Sequence, residues 1–283
     1  MKKAILAATA AASALSALTF PTMAQAQEAP PAAITVSGTA ALVSDYRFRG
    51  VSQTDEEMAV QAGVTIAHES GLYVGTWASN LAGWGQFGGS NMELDIYGGY
   101  KVPVGGATVD VGLTWYMYPG GSDKTDFGEP YVKVSGTVGP ANLLAGVAYA
   151  PKQQALGQWY LTGASNATGI PDFPGAKDDN LYIWGDASTA VPGTPLTLKG
   201  HLGYSDGNPG LGPNGTSVAP TGKYFDWLLG ADYTLGKVTL GVAYVDTDIK
   251  FADAAYLQPN FSSTKDGGPI SGSQVVFSAT VAF

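Results

Sequence analysis

The chain has 283 residues, of which only 13% are charged, and a formal net charge of −9. This acidic balance disfavours nucleic acid and anionic lipid surfaces as partners, because both are bound by basic surfaces. The absence of cysteine excludes disulfides, thiolate catalysis and zinc–thiolate sites. Low charge together with 39 glycines favours an all-β protein whose outer surface does not face water.

Residues 1–26 are predicted to be a secretory signal peptide. Lys2 and Lys3 precede an apolar, alanine-rich stretch, and an Ala-Gln-Ala cleavage site ends at Ala26. The apolar stretch is too short for a spanning helix, and an uncleaved anchor is the alternative. Removing Lys2 and Lys3 leaves 12 of the 14 basic residues against 23 acidic ones, a formal charge of −11. Residues 27–33 then form a short periplasmic lead, and residues 34–283 form a single domain.

That domain consists of alternating segments long enough to cross a bilayer as tilted strands, which takes about 9–11 residues. Short turns and long polar connections alternate between them, as in outer-membrane barrels with periplasmic turns and extracellular loops. The sequence therefore predicts an all-β fold, a transmembrane antiparallel up-and-down β-barrel of about twelve strands. The predicted strands are 34–48, 58–68, 71–80, 91–102, 107–118, 129–138, 141–150, 180–190, 195–205, 223–234, 237–248 and 272–283.

The first strand contains the stretch SDYRFRGVSQTDEE, residues 44–57. Side chains alternate between the two faces of a strand, so Tyr46 and Phe48 are expected to face lipid. Asp45, Arg47 and Arg49 then face the lumen, because a charge on the lipid face costs about 2–4 kcal/mol at mid-membrane. The two guanidiniums are expected to form a permanently positive patch in the extracellular half of the lumen.

The same alternation along the other strands predicts two sets of residues. Charged side chains on the inner faces are pore-lining candidates, and aromatic side chains near the strand ends form the membrane girdles. The lumen candidates are Asp45, Arg47, Arg49, Glu93, Asp95, Lys101, Asp110, Lys133, Asp186, Lys199, His201, Asp226 and Asp232. The girdle candidates are Phe48, Trp115, Tyr149, Tyr204, Trp227 and Tyr244 towards the long loops, and Tyr100, Tyr233 and Phe283 towards the short turns.

Phe283 ends the chain as an aromatic residue on a strand. This ending is similar to the terminal signature by which outer-membrane barrels are delivered to their assembly machinery. The expected partners are therefore that machinery, outer-membrane lipid and lipopolysaccharide, and small polar solutes, with no nucleic acid.

Two stretches resemble a known family. ALVSDYRFRGVSQ (41–53) and ESGLYVGTWASN (69–80) are similar to the amino-terminal region of the TorF-like porin family, exported Gram-negative proteins of unknown function. The resemblance implies an outer-membrane barrel with a porin-like role. It implies no substrate and no catalytic or binding residues.

Catalytic and cofactor sites are not expected. Of the mature histidines, His68 lies beside a short turn and His201 faces inward, whereas a barrel lipase needs a Ser–His pair facing lipid. The GWGQFG string (83–88) matches a dinucleotide motif, but no helix follows it. The acids of TDEE (54–57) and KDD (177–179) are interpreted as solvated loop charge, with bound Ca²⁺ as the alternative.

The sequence thus predicts a porin-like outer-membrane channel for passive diffusion of small polar solutes. Opposed charges across the lumen would set its selectivity, and twelve strands give a lumen between the filled eight-stranded and open sixteen-stranded cases. The alternative is a non-conducting structural or adhesive barrel with ligand-binding extracellular loops, in which inward Asp–Arg pairs plug the lumen. A soluble periplasmic β-protein is a further alternative.

Overall fold

In the computed structural model, twelve antiparallel strands close into one barrel, and each strand pairs with its neighbours in the chain. The predicted fold is confirmed. The structure describes residues 33–82, 89–121, 123–215, 222–250, 252 and 262–283. Two short strands, β2 Arg47–Phe48 and β3 Val51–Ser52, form a separate two-stranded sheet. The twelve barrel strands are β1 Ile34–Val43, β4 Ala59–His68, β5 Leu72–Asn80, β6 Met92–Val104, β7 Ala107–Met117, β8 Phe127–Val138, β9 Ala141–Gln153, β10 Asp178–Ala190, β11 Leu196–Asp206, β12 Lys223–Leu235, β13 Val238–Thr247 and β14 Gln274–Ala282.

The strands follow the alternation of the sequence, with apolar side chains outside and polar or aromatic ones inside. In β13, Leu240, Val242 and Tyr244 point outwards and are each more than 40% exposed, whereas Ala243 and Val245 are buried in the lumen. Because an isolated barrel in water would leave this apolar belt exposed on every strand, the outer surface is suited to lipid.

The two ends of the barrel differ. Short turns occupy one end, which we call the short-turn end, and Gly139 and Gly236 adopt positive φ angles of 58° and 61° there. Connections of nine or more residues occupy the other, the long-loop end. One of these connections contains a five-residue helix, α1 Gly163–Ala167, closed at its start by a capping box between Thr162 and Ser165. Within the described ranges, no helix has the length and apolar character needed to cross a bilayer.

The barrel closes through a seam between its first and last strands. β1 pairs with β14 over five residue positions, Thr39–Val43, whereas it pairs with β4 over ten. Beyond this ladder, the backbone groups of Gly38 and Phe283 exchange two hydrogen bonds of 2.8 and 3.0 Å. The carboxy-terminal residue therefore belongs to the seam.

The first strand is shorter than predicted. It ends at Val43 instead of residue 48, and residues 44–57 turn into the barrel as a loop that carries the two-residue strands β2 and β3. Arg49 (φ 48°) and Gly50 (φ 80°) form the left-handed turn between these strands. We call residues 44–57 the lumen segment.

Candidate functional site

The inner wall of the barrel carries the charged residues predicted to line the lumen. Those on barrel strands all lie on the inner face, and those at residues 45–49 lie in the lumen segment instead of on the wall. Most are buried, and Lys101, Asp186, Lys199 and His201 are half-buried. The fully buried members are Asp45, Arg47, Arg49, Glu93, Asp95, Asp110, Lys133, Asp226 and Asp232.

Arg49 connects the lumen segment to the opposite wall. Its Nη2 donates to both carboxylate oxygens of Glu129 on β8, at 2.6 and 2.7 Å, and both side chains are almost fully buried. The guanidinium also lies between the rings of Phe48 and Tyr182, 4.8 and 4.1 Å from their centroids. Burial alone would lower the pKa of Arg49, but the adjacent Glu129 carboxylate more than offsets this and the net shift is upward. Arg49 is therefore a permanently charged anchor across the lumen.

Arg47 forms hydrogen bonds within the lumen segment and to the long loop between β13 and β14. Its Nε donates to Asp45, and its Nη1 donates to the carbonyl oxygens of Gly50, Ile270 and Gly272 at 2.8–3.0 Å. The residue is completely buried. Because its donors are occupied by this network and by Glu56 at 3.2 Å, it does not form the open positive patch expected from the sequence.

Phe48 is not a girdle residue, and the prediction for it was wrong. It is 5% exposed and its ring meets Tyr116 edge-on at a centroid distance of 5.9 Å, inside the barrel. Tyr46, also expected to face lipid, is 1% exposed and packs against Trp77 at 5.3 Å. Both errors have one cause: alternation predicts a face only while the chain stays in a strand, and this chain leaves β1 after Val43.

The other predicted girdle residues lie on the outer face. Tyr204 and Phe225 contact each other there at a ring distance of 4.9 Å, and the Tyr149 hydroxyl donates to Asp179 at 2.6 Å near the long-loop end. The more exposed members are Trp115, Tyr149, Tyr244, Tyr100, Tyr233 and Phe283, and the half-buried ones are Tyr204 and Trp227.

The lumen segment also contacts the long loop between β13 and β14. The backbone N–H of Ser52 donates to the Ile270 carbonyl at 2.9 Å. The hydroxyl of Thr264 donates to the Asp55 carboxylate, and its backbone N–H does so at 3.1 Å. Lys265 pairs with Glu57 at 2.9 Å in a more exposed position. The second half of the segment, residues 52–57, is thus attached to this loop.

Three further ionic groups occupy the wall below the lumen segment. Lys199 pairs with Asp232 at 2.7 Å. Lys133 lies 3.9 Å from Asp110, which also accepts a hydrogen bond from Tyr73 at 2.6 Å. The largest group surrounds His201: its Nδ1 lies 2.6 Å from Asp186, and its Nε2 lies 3.1 Å from Asp226 and 2.9 Å from the Tyr182 hydroxyl. Because Tyr182 also stacks on Arg49, this group is continuous with the anchor of the lumen segment.

Glu93 and Asp95 form an acidic group of a different kind. Glu93 accepts a hydrogen bond from the Tyr46 hydroxyl at 3.0 Å. Both carboxylates are buried, and neither is within ion-pair distance of a basic side chain in the described part of the chain. Burial raises the pKa of the Tyr46 phenol, and the charges of Glu93 and Asp95 raise it further.

Two important residues were missed in the sequence. Glu129 shares a face with Lys133, and Tyr182 shares one with Asp186, so alternation from residues already predicted to be inward would have identified both. What the sequence does not show is that both residues contact Arg49. Arg49 reaches Glu129 across 80 residues of chain and Tyr182 across 133, and only closure of the barrel brings them together.

Burial changes along the lumen. Near the long-loop end, the inward side chains of Ser205, Tyr224 and Val245 are at most 2% exposed. Towards the short-turn end, Thr39, Thr65 and Ser135 are half-buried. Ser188, Thr239 and Thr280 also lie towards the short-turn end and are at most 7% exposed, so burial decreases only in parts of that end.

A family described as "Bacterial protein of unknown function (Gcw_chp)" matches residues 26–275. The chain belongs to this family. The match covers the lumen segment and every barrel strand except most of β14, so the lumen segment lies within the region that defines Gcw_chp. No curated protein matches the chain.

Several solved structures are similar to this Gcw_chp member. A porin refined at 1.8 Å resolution is 12% identical, with 88% of this chain and 100% of that chain covered and a TM-score of 0.41. An outer-membrane channel from Pseudomonas putida F1 is 10% identical, with 90% and 96% covered and a TM-score of 0.43. The outer-membrane protein OpdK from Pseudomonas aeruginosa is 13% identical, with 91% and 68% covered and a TM-score of 0.42. Similarity at this level carries no information about substrate.

Proposed function

We propose that the protein is a porin-like outer-membrane channel for passive diffusion of small polar solutes, and that the lumen segment controls passage through it. The observation that carries the proposal is the contrast between the two surfaces of the barrel. The outside is an apolar belt, whereas the inside carries ion pairs and half-buried polar side chains that continue to the short-turn end. The resemblance of residues 41–53 and 69–80 to TorF-like porins agrees with this role.

The lumen segment supplies the narrowest part of the proposed path. It is connected to β1 and β4 on one side and reaches β8 through the Arg49–Glu129 pair on the other. A solute that crosses the barrel must pass beside or displace it. In the conformation described here, transport therefore requires movement of the segment or of the long loops above it.

The proposal places the protein in the outer membrane after export by a cleaved signal peptide. The short turns would then face the periplasm and the long loops the cell exterior. Phe283 would present the terminal aromatic to the barrel assembly machinery, and lipid with lipopolysaccharide would cover the apolar belt. The proposed role requires no catalytic residue.

The experiment that tests this function is solute flux through the purified, folded protein. Proteoliposomes are challenged with sugars, amino acids and nucleosides of increasing size, and swelling rates are compared with empty liposomes. We expect swelling with the smallest solutes and a steep decline with size. Folding is checked independently by the difference in gel mobility between boiled and unboiled samples.

A non-conducting barrel with ligand-binding loops is the second candidate, and the burial at the long-loop end favours it. Tyr46, Arg47 and Phe127 have at most 1% of their surface exposed, and such close packing favours a filled lumen at this end. The loop between β9 and β10 also presents Ile170 and Phe173, 73% and 51% exposed, to the outside. Folded protein that causes neither swelling nor single-channel steps would overturn the channel and favour this candidate.

A further inference from the structure

The acidic group on β6 forms no ion pair with any residue that the structure describes. Glu93 and Asp95 are 2% and 1% exposed and lie two residues apart on one strand face, about 6.8 Å between their backbones. Every lysine and arginine after Lys3 lies in the described ranges, and none forms an ion pair with either carboxylate. Since burying an unpaired carboxylate is costly, a cation bound at this pair would stabilise it.

Asp95 supplies the second observation. Its Oδ1 is buried and has no hydrogen-bond partner. Buried polar atoms are nearly always hydrogen-bonded, and the paired ionic residues around the lumen show that this barrel follows the rule elsewhere. The missing partner of Asp95 is therefore a donor, preferably a charged one.

The surroundings of the carboxylates are aromatic. Trp77 lies opposite Asp95 in the β5–β6 ladder, and its ring meets Tyr46 at 5.3 Å. Tyr118 completes the wall from the loop after β7: burial raises the pKa of its phenol, and the nearby charges of Glu93 and Asp95 raise it further. Aromatic faces combined with carboxylates attract organic cations through cation–π and charge interactions.

We propose that Glu93, Asp95 and Trp77 bind the primary ammonium group of a small organic solute, an inference that rests on the proposed channel function and names a class of solute for it. An ammonium N–H satisfies Asp95 Oδ1 and neutralises the acidic pair, and the indole ring contacts the adjoining alkyl carbons. A diamine neutralises both carboxylates. A divalent metal ion fits less well, because it takes about six or more oxygen ligands and the described residues contain no cluster of three metal-ligating side chains.

The site also explains how a solute would interact with the lumen segment. Tyr46 belongs to that segment and donates its hydroxyl proton to the Glu93 carboxylate. An ammonium group that donates to the same Glu93 oxygen competes with this hydrogen bond. Binding in that geometry weakens one of the contacts by which the segment is held in the lumen.

The test measures binding without transport. Folded protein in detergent micelles is titrated with 1,4-diaminobutane at constant ionic strength, with tryptophan fluorescence as the signal. We expect a saturable change in wild type and at least a tenfold rise in the half-saturating concentration for Glu93→Gln/Asp95→Asn. The control Asp110→Asn removes another buried lumen acid and should respond like wild type. Tetramethylammonium, which has no N–H, should bind at least tenfold more weakly than the diamine.

A wild-type response that does not saturate, or that is unchanged in Glu93→Gln/Asp95→Asn, overturns the site. If that variant does not fold, thermal unfolding of wild type decides: a rise in Tm with the diamine but not with tetramethylammonium supports the site, and equal effects overturn it. Protein that binds the diamine but causes no liposome swelling retains the site and overturns the channel. Protein that conducts but does not bind the diamine overturns the site alone.

Discussion

The contact between Arg49 and Glu129 joins residues 80 positions apart in the sequence, and it attaches the lumen segment to β8. Both side chains are almost fully buried, and Arg49 retains two nitrogens, Nε and Nη1, without hydrogen-bond partners. The two opposite charges are therefore in close contact, but the hydrogen-bonding capacity of the guanidinium is only partly used. Breaking it has two effects: it leaves one buried charge, and it releases the segment from β8.

Replacing Arg49 by Met should destabilise the folded barrel by roughly 3–5 kcal/mol, because Glu129 is left as an unpaired buried carboxylate. The double variant Arg49→Met/Glu129→Gln should lose clearly less, since no charge then remains. Reversible urea unfolding in micelles measures both. Lys223→Met is the control, because its pair with Asp206 is exposed and its removal should change little. Equal losses for the single and double variants would contradict the role given to the pair.

Phe48 tests the corrected orientation of the lumen segment. Phe48→Ala should cost roughly 3–5 kcal/mol, the usual range for removing a buried aromatic side chain, and should increase single-channel conductance by emptying space beside Tyr116. Phe225→Ala removes an aromatic residue from the outer face, where it is 45% exposed, and should leave conductance unchanged. If Phe48→Ala leaves both stability and conductance at the wild-type level, the ring is not packed inside the lumen.

The sequence predicted that Arg47 and Arg49 lie inside the barrel, but not which residues they contact there. Their inward position followed from the cost of a charge facing lipid. Their partners, Ile270 and Glu129, come from distant parts of the chain, and alternation on one strand contains no information about them. Phe48 was misassigned for a related reason, because no local pattern showed that β1 ends five residues before it.

In the proposed channel, the lumen segment is the element whose movement controls conduction. It is attached to the long loop between β13 and β14 through Asp55 and Thr264 as well as through Arg47. These contacts lie at the long-loop end, where the segment would have to separate from the loop before it could move. A covalent bond at this junction therefore blocks movement of the segment and leaves the other motions of the barrel unchanged.

Cysteines introduced as Asp55→Cys/Thr264→Cys should lock the segment when oxidised, since these side chains are in direct contact and the natural chain has no cysteine to compete. We expect lower single-channel conductance and slower swelling after oxidation, with recovery on reduction. The two single-cysteine variants serve as controls and should not respond. Oxidised and reduced double variants with the same currents would show that transport does not depend on movement of this junction.

The strands show what sequence patterns predict well. Every predicted strand except the first lies within a few residues of its observed bounds, because twelve successive alternating segments have only one arrangement that hides their polar faces from lipid. Deviations occur where loops continue a ladder: β9 extends to Gln153 through Pro151, beyond the predicted end at residue 150. The lengths of such extensions depend on contacts of the loops above the barrel, which are not periodic in the sequence.

For the whole molecule, the apolar belt is the property that makes a lipid bilayer the medium in which this fold is stable. Val64 lies near the middle of β4, points outwards and is 38% exposed. Replacing it by Lys should destabilise the barrel by about 2–4 kcal/mol in a bilayer, and Val64→Leu should have little effect. Unfolding in phospholipid vesicles measures the difference. A lysine at this position that costs nothing would place the surface in water and favour the soluble alternative.

The seam between β1 and β14 has a consequence for how the cylinder comes apart. Its ladder has five paired positions, continued by the Gly38–Phe283 hydrogen bonds, against ten between β1 and β4, so the seam is the shorter of the two joins made by β1. Thermal fluctuations that break the β1–β14 hydrogen bonds open the barrel wall laterally towards the bilayer. The Gly38–Phe283 hydrogen bonds close the end of this seam. In hydrogen–deuterium exchange, amides of Thr39–Val43 that bond to β14 should exchange at least tenfold faster than those that bond to β4. Equal rates would mean that the terminal aromatic ring makes the join as strong as its neighbours.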